Sequence, residues 1–236
     1  WGTDTTFGYQ TAMDIATDVI DKIHSTATSH SRVFVIEIMG HDAGWLTLSS
    51  GIAGGADIIL IPEIPYSLDV VCQTLEERRK NGRRFSIIAV AEGALSMEEA
   101  KMSKKEFKAA RAAMTDPSIG FRIARELSEM YEQEVRVVKP GHVQRGGGPD
   151  AADRILTTRL GAGAARLIKN QQYGNMVAVR NNQNIAVPLS EVAGKLKNVP
   201  VDDQMIETAR AIGIRFGDEV DNKGKKSKKK DKKEKD

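Results

Sequence analysis

Apolar positions along the chain alternate between two spacings. Ala12, Ile15, Ala16, Val19, Ile20 and Ile23 recur three or four residues apart, so residues 8–29 are expected to form an amphipathic helix. Residues 33–38 form a short apolar run broken only by Glu37, the pattern of a buried strand with one functional-looking carboxylate. Gly40 and Gly44 open a small-residue helix through Ala53, closed by Gly54 and Gly55. Residues 57–62 read as the next strand, stopped by Pro62. Ser67 can cap a helix to about Lys80, with Gly82 beyond its end. A strand over 85–91 ends at Glu92, and Ser103 with Glu106 forms a capping box for a helix through Met114. A further helix follows Asp116-Pro117 and runs to about Tyr131, and residues 134–138 form a strand that leads into a glycine-rich stretch. A long helix over 149–169, a hairpin over 175–180 and 183–187, and a last helix that Asp202 can cap complete the pattern. Strand and helix alternate throughout, which gives an α/β fold with a mainly parallel sheet.

Charge is unevenly distributed. Residues 223–236 hold nine of the 35 Lys and Arg but only three of the 32 acids, a net of +6. The preceding 222 residues carry 26 basic against 29 acidic side chains, a net of −3. The tail has no aromatic or apolar residue, so it reads as a solvated, disordered terminus that neither stacks on bases nor enters a bilayer. No apolar run approaches the ~20 residues of a membrane span. The single cysteine, Cys72, cannot form an internal disulfide, which fits a reducing cytoplasm. One cysteine and four scattered histidines also argue against a Cys/His zinc site. The first residue is Trp1, so the chain reads as processed or as a fragment.

Polar groups gather where strands end, the place where open α/β folds put their ligands. Glu37-Ile38-Met39-Gly40-His41 joins a strand to a glycine-started helix, and Ala89-Val90-Ala91-Glu92-Gly93 ends a strand with a carboxylate. Pro140-Gly141-His142-Val143-Gln144-Arg145-Gly146-Gly147-Gly148 is richest, because His, Gln and Arg sit beside glycines that expose backbone N–H groups. Such a loop suits a phosphate or phosphosugar, although glycine-rich loops with an arginine also occur as plain turns.

Six blocks resemble the phosphofructokinase family in its order and near its spacing. They are Met39-Gly40-His41-Asp42-Ala43-Gly44-Trp45, Gly51-Ile52-Ala53-Gly54-Gly55-Ala56-Asp57, Ile61-Pro62-Glu63, Ala91-Glu92-Gly93, Gly141-His142-Val143-Gln144-Arg145-Gly146-Gly147 and Asp153-Arg154-Ile155-Leu156. The resemblance implies a two-lobed α/β fold. Residues 1–8 would be a remnant of the donor lobe, 9–143 the sugar-phosphate lobe and 144–200 a return to the donor lobe. Residues 201–222 would form a C-terminal helix packing on the acceptor lobe, and 223–236 the disordered tail. The implied reaction is phosphoryl transfer from ATP or diphosphate to the 1-hydroxyl of fructose 6-phosphate, with Mg²⁺. The family's general-base aspartate, donor loop and magnesium ligand would lie upstream of Trp1, so the isolated chain is expected to be inactive and to leave apolar edges of the donor lobe exposed.

The implied substrate-binding set is Arg32, Met39, Gly40, His41, Glu92, Arg136, His142, Val143, Gln144 and Arg145. In the family pattern Arg32 and Arg136 reach into the neighbouring subunit's site, His142 and Arg145 hold the 6-phosphate, and Glu92 accepts from sugar hydroxyls. A homodimer or homotetramer with shared sites is therefore expected. Each residue also has a plainer reading: Arg136 as a solvated charge, Glu92 as an exposed carboxylate, Met39 as core filler. His41 departs from the usual Met-Gly-Arg, replacing a permanent charge by one that is mostly absent near pH 7. His24 and Asn81 fall where bacterial members carry effector-binding cations, so no response to ADP or phosphoenolpyruvate is expected; His24 and His30 otherwise read as surface residues. The rival readings are a non-catalytic sugar-phosphate-binding subunit and a nucleic-acid-associated protein using the tail. No membrane partner is expected.

Overall fold

Strands that are apolar on both faces need helices on both faces, and this chain supplies them. The computed structural model describes residues 1–27 and 31–218, so His30 and the Lys-rich tail lie outside the described residues. The elements run α1 (Tyr9–Ala27), β1 (Val33–Ile38), α2 (Trp45–Ala53), β2 (Ile58–Leu60), α3 (Leu68–Lys80), β3 (Ser86–Ala91), α4 (Lys104–Ala112), α5 (Ile119–Met130) and β4 (Val135–Val138). They continue with α6 (Ala151–Lys169), β5 (Asn175–Arg180), β6 (Gln183–Pro188), α7 (Leu189–Val192) and α8 (Gln204–Ala211). Short 3-10 turns at Glu99–Lys101 and Gly141–Arg145 were not foreseen from the sequence.

Four strands form a parallel sheet in the order β2-β3-β1-β4, with Val33 beside both Ser86 and Val135. Phe34, Ile36 and Ile38 of β1 pack with Ile87 and Ala89 against α1, α2 and α8. Val33 and Val35 pack with Ile88 and Val90 against α3 and α5 on the other side. The outer edge of β2 is covered by residues near 215: Ile59 N donates to Arg215 O at 2.8 Å, Arg215 N donates to Asp57 O at 3.1 Å, and Phe216 is buried. The β5–β6 hairpin turns through Asn181 and Asn182, both at positive φ as a tight two-residue turn requires. Helix α6 lies close on this hairpin at Gly163, where a Cβ would meet Val177 Cγ1 at 2.8 Å. No helix among the described residues is long and apolar enough to cross a membrane.

The helix and strand order expected from the pattern is present, with local differences. The foreseen Ser103–Glu106 capping box forms. Asp203, not Asp202, caps the last helix, accepting from Met205 N at 2.8 Å. A turn from Pro200 places Asp202 one residue too early, with Asp203 N donating to Pro200 O at 3.0 Å. Ser67 sits before α3, but its hydroxyl makes no cap bond; its amide instead donates to Gly217 O at 2.8 Å. The strand expected over 57–62 shortens to Ile58–Leu60, because the chain turns at Ile61, whose carbonyl accepts from Ile64 N at 3.2 Å.

Candidate functional site

Because β1 and β3 are parallel neighbours in register, Ile38 beside Ala91, their C-terminal ends finish side by side. That register brings Met39-Gly40-His41 against Glu92. One oxygen of Glu92, Oε1, accepts from Gly40 N at 3.1 Å and from His41 N at 2.7 Å. His41 has φ 55°, a strained conformation for a residue with a Cβ. The loop fits because residue 93 is glycine: a Cβ there would meet His41 O at 2.4 Å. The His41 side chain points to solvent, 85% exposed, with Nε2 3.4 Å from Asp42 Oδ2.

The glycine-rich stretch reaches the same edge through one side chain. Gln144 is 2% exposed, and its Oε1 accepts from Met39 N at 3.3 Å. Its Nε2 is buried without a partner among the described residues. The 3-10 turn leaves His142, Val143 and Arg145 exposed around it. The expectation that the loop offers free backbone N–H groups is only partly met. Val143 N donates to Pro140 O at 3.2 Å and Gly146 N to Val143 O at 3.1 Å, so the turn itself consumes two of them. Beside this turn lies a cleft of about 610 Å³ whose walls include Met39, Gly40, Gln144 and Arg145.

Arg32 and Arg136 are elsewhere. Arg32 precedes β1 and Arg136 lies opposite Phe34 near its start, so the length of β1 separates both from Met39 and Glu92. At ~3.3 Å per residue that is roughly 20 Å. Both arginines pair with the Glu134 carboxylate. Glu37, read as functional-looking, is structural. It is 3% exposed on the α5 face of the sheet, where it accepts from Ser118 Oγ and from Gly120 N at 2.8 Å and lies 3.0 Å from Lys139 Nζ.

Two further carboxylates hold the walls of the site, and the sequence reading gave neither a role. Asp153, in the first turn of α6, accepts from Gly8 N at 2.8 Å, Thr11 N at 2.9 Å and Thr11 Oγ1 at 2.6 Å. It thereby caps α1 from another helix. Burial pushes its carboxyl pKa up, but these hydrogen bonds more than offset burial and hold it below the ordinary value. Glu63 accepts from Gly44 N at 3.0 and 3.1 Å and from Val199 N at 2.9 Å, tying the start of α2 to the chain's later segment. The spacing Asp150-x-x-Asp153 was a visible cap signal for α6, and Asp150 does accept from Asp153 N at 2.7 Å. Nothing local in the sequence marks Asp153 as the cap of a second helix. Among the described residues no group of three or more His, Cys, Asp or Glu side chains could hold a metal ion.

Residues 1–168 match the sequence model of the family described as Phosphofructokinase. The chain is 54% identical over 220 residues to the ATP-dependent 6-phosphofructokinase of Spirochaeta thermophila, covering 93% of this chain and 60% of that protein. It is 45% identical over 219 residues to that of Chloroflexus aurantiacus, again covering 93% and 60%. The chain thus spans about 60% of the length of these relatives. The phosphofructokinase structure from Saccharomyces cerevisiae superposes with a TM-score of 0.68 at 34% identity, covering 80% of this chain and 24% of that one. With well over half of its residues matched by the family model, and with its mainly parallel α/β fold shared with that structure, the chain belongs to the phosphofructokinase family.

Proposed function

We propose that the chain carries the sugar-phosphate site of a 6-phosphofructokinase, in which the 1-hydroxyl of fructose 6-phosphate takes a phosphoryl group. The observation that carries this reading is the edge where Glu92 pins the Gly40 and His41 amides beside Gln144 and Arg145. Glu92 spends one oxygen on the loop, and its other oxygen is the acceptor for sugar hydroxyls. Met39, Gly40 and His41 form the floor that Gln144 holds in place through the Met39 amide. His142 and Arg145, exposed on the turn with Val143, supply charge-assisted donors for the 6-phosphate. Arg32 and Arg136 lie too far along the strand to join that set within one chain, so they complete the site of a second copy in a homodimer or homotetramer.

ATP is the favoured donor, since the Spirochaeta and Chloroflexus relatives are named ATP-dependent; the alternative is diphosphate, which the family resemblance equally allows. Asp153 lines the cleft, and its oxygens are engaged by Gly8 and Thr11. In this reading, which follows the family resemblance, removal of the hydroxyl proton, donor binding and Mg²⁺ fall to residues other than the sugar-phosphate set named here. Among the described residues no cluster of three or more His, Cys, Asp or Glu side chains fits a metal ion. Residues 9–143 would form the acceptor lobe, and 144–200 the return segment that contains α6 and the hairpin.

The test is steady-state kinetics of the full-length protein carrying Arg145→Ala. A phosphate contact remote from the reacting hydroxyl binds ground and transition states alike. Losing one charge-assisted donor at ~1.5–3 kcal/mol should raise KM for fructose 6-phosphate about 10- to 150-fold with kcat little changed. Mixing Arg145→Ala chains with Arg136→Ala chains should restore some intact sites. An unchanged KM for the single variant overturns the reading.

A further inference from the structure

Arg32 and Arg136 do not sit on the sheet edge as two free cations. The Glu134 carboxylate takes Nε of Arg32 on one oxygen and Nη2 of Arg136 on the other. The carboxylate's own backbone is fixed: Val33 N donates to Glu134 O at 3.0 Å, which places Glu134, two residues before Arg136 at the start of β4, beside the neighbouring segment that carries Arg32. The result is a cation–anion–cation row of net charge +1 at the N-terminal edge of β1 and β4. Its side chains remain open to solvent, with Arg136 58% and Glu134 44% exposed.

Each guanidinium has five N–H donors, and the geometry uses one nitrogen on each. Among the described residues, the terminal Nη pair of Arg32 and the remaining N–H groups of Arg136, on Nε and Nη1, are left for an oxyanion. Without the carboxylate, two like charges on adjacent strands repel, and each long side chain keeps its full rotamer freedom until a ligand orders it. We infer that Glu134 is a positioning residue: it yokes Arg32 and Arg136 into one unit that presents both guanidiniums to the phosphate group of a ligand. This inference rests on the proposed reading of those arginines as phosphate ligands. Hydrogen bonding from Arg32, with the nearby charge of Arg136, holds the Glu134 carboxyl below the ordinary range, so the yoke stays ionised through neutral pH.

The experiment compares Glu134→Gln, Glu134→Asp and Arg136→Ala in the full-length protein, with fructose 6-phosphate and ATP as substrates. A glutamine offers one acceptor and one donor, so it can hold one arginine but not both. Glu134→Gln should raise KM for fructose 6-phosphate about 5- to 20-fold, equivalent to ~1–2 kcal/mol at 1.4 kcal/mol per decade. Its kcat should stay within a factor of about 2, as expected when only uniform binding is lost. Glu134→Asp keeps the charge and should recover at least half of that loss on a logarithmic scale. The effect of Glu134→Gln should shrink when Arg136 is already alanine, because part of its route is gone. If Arg136→Ala raises KM and Glu134→Gln does not, the yoke is overturned while the phosphate clamp stands. If neither variant moves KM, the clamp reading itself fails. A fall in KM for Glu134→Gln also overturns the yoke, since it makes the carboxylate a competitor of the phosphate. Loss of kcat with KM intact overturns it as well.

Discussion

Glu37, Glu63, Glu92 and Asp153 are alike as symbols, yet each carboxylate meets a different set of donors. Glu92 holds both of its amides on one oxygen, whereas Glu63 and Asp153 spend both of theirs on amides and a hydroxyl. Glu37 is the most deeply committed. It accepts from Gly120 N in the first turn of α5, and a Cβ on Gly120 would come within 2.8 Å of its Oε2. A buried carboxylate at a helix start is stabilised by the orphan amides and the helix dipole. Glu37→Ala leaves Ser118 and the Gly120 amide without their acceptor, both in a region closed to water. The expected cost is about 2–4 kcal/mol. Urea unfolding should show it as a lower midpoint with an unchanged slope; a loss under about 1 kcal/mol would mean that water replaces the carboxylate.

Helix α6 shows how two elements are joined by one residue. Its own N-cap is Asp150, and three residues later Asp153 turns outward to cap α1, while Asp150 N donates to Thr11 Oγ1 at 3.0 Å. Asp153→Asn removes one carboxylate oxygen from three donors, and should cost about 1–3 kcal/mol. At about 2–4 °C per kcal/mol for a domain of this size, thermal unfolding should resolve it. The pH dependence has a definite sign. The native carboxyl titrates below the ordinary value, so its stabilisation is complete above the unfolded value near pH ~4 and lost as pH falls through the native one. The gap between wild type and Asp153→Asn should therefore close on acidification. An undiminished gap at pH ~2 would put the effect in packing. What could be read from sequence at this scale was what depends on neighbours in the chain: the 3.6 and 2 periodicities, the Ser103–Glu106 box, the hairpin turn. The Asp153 clasp, the Glu63 tie and the Glu134 yoke join residues distant in sequence or on separate strands, which local spacing cannot announce. The site edge was legible because strand ends and glycines mark it, whereas the burial of Glu37 depends on α5 arriving some 80 residues later.

One side of the molecule stays apolar and open. Along α6 and β5 a groove of about 540 Å³ is lined by Leu160, Ala164, Ile168 and Val177, with Phe7 63%, Ile168 62% and Tyr173 70% exposed. Among the described residues β6 is the one strand paired with β5, and residues 3–4 cover the far end of its other edge, where Asp4 N donates to Val179 O at 2.8 Å and Val179 N to Thr3 Oγ1 at 3.0 Å. Such a face drives association. The 236-residue chain by itself should sediment as concentration-dependent oligomers, and Ile168→Lys with Tyr173→Ser should shift it toward monomer. A wild-type chain that stays monomeric at high concentration would show that the face is tolerated in water.

The strip at residue 215 that closes the β2 edge reaches its partner 157 positions after Ile58 has been made. At roughly 5–20 residues per second on the ribosome, the sheet's outermost strand waits ~8–30 s for its cover. Phe216 and Ile214, both buried against that side of the core, arrive with it. The central layer can assemble earlier from β1, β3 and β4, but β2 remains an open strand until nearly the whole described chain has been synthesised. A long contact of this kind slows folding and prolongs exposure of an adhesive edge. Synthesis rate, and any chaperone that shields a nascent strand, therefore bear on the yield of this protein through one late backbone ladder rather than through the sheet edge at Glu92.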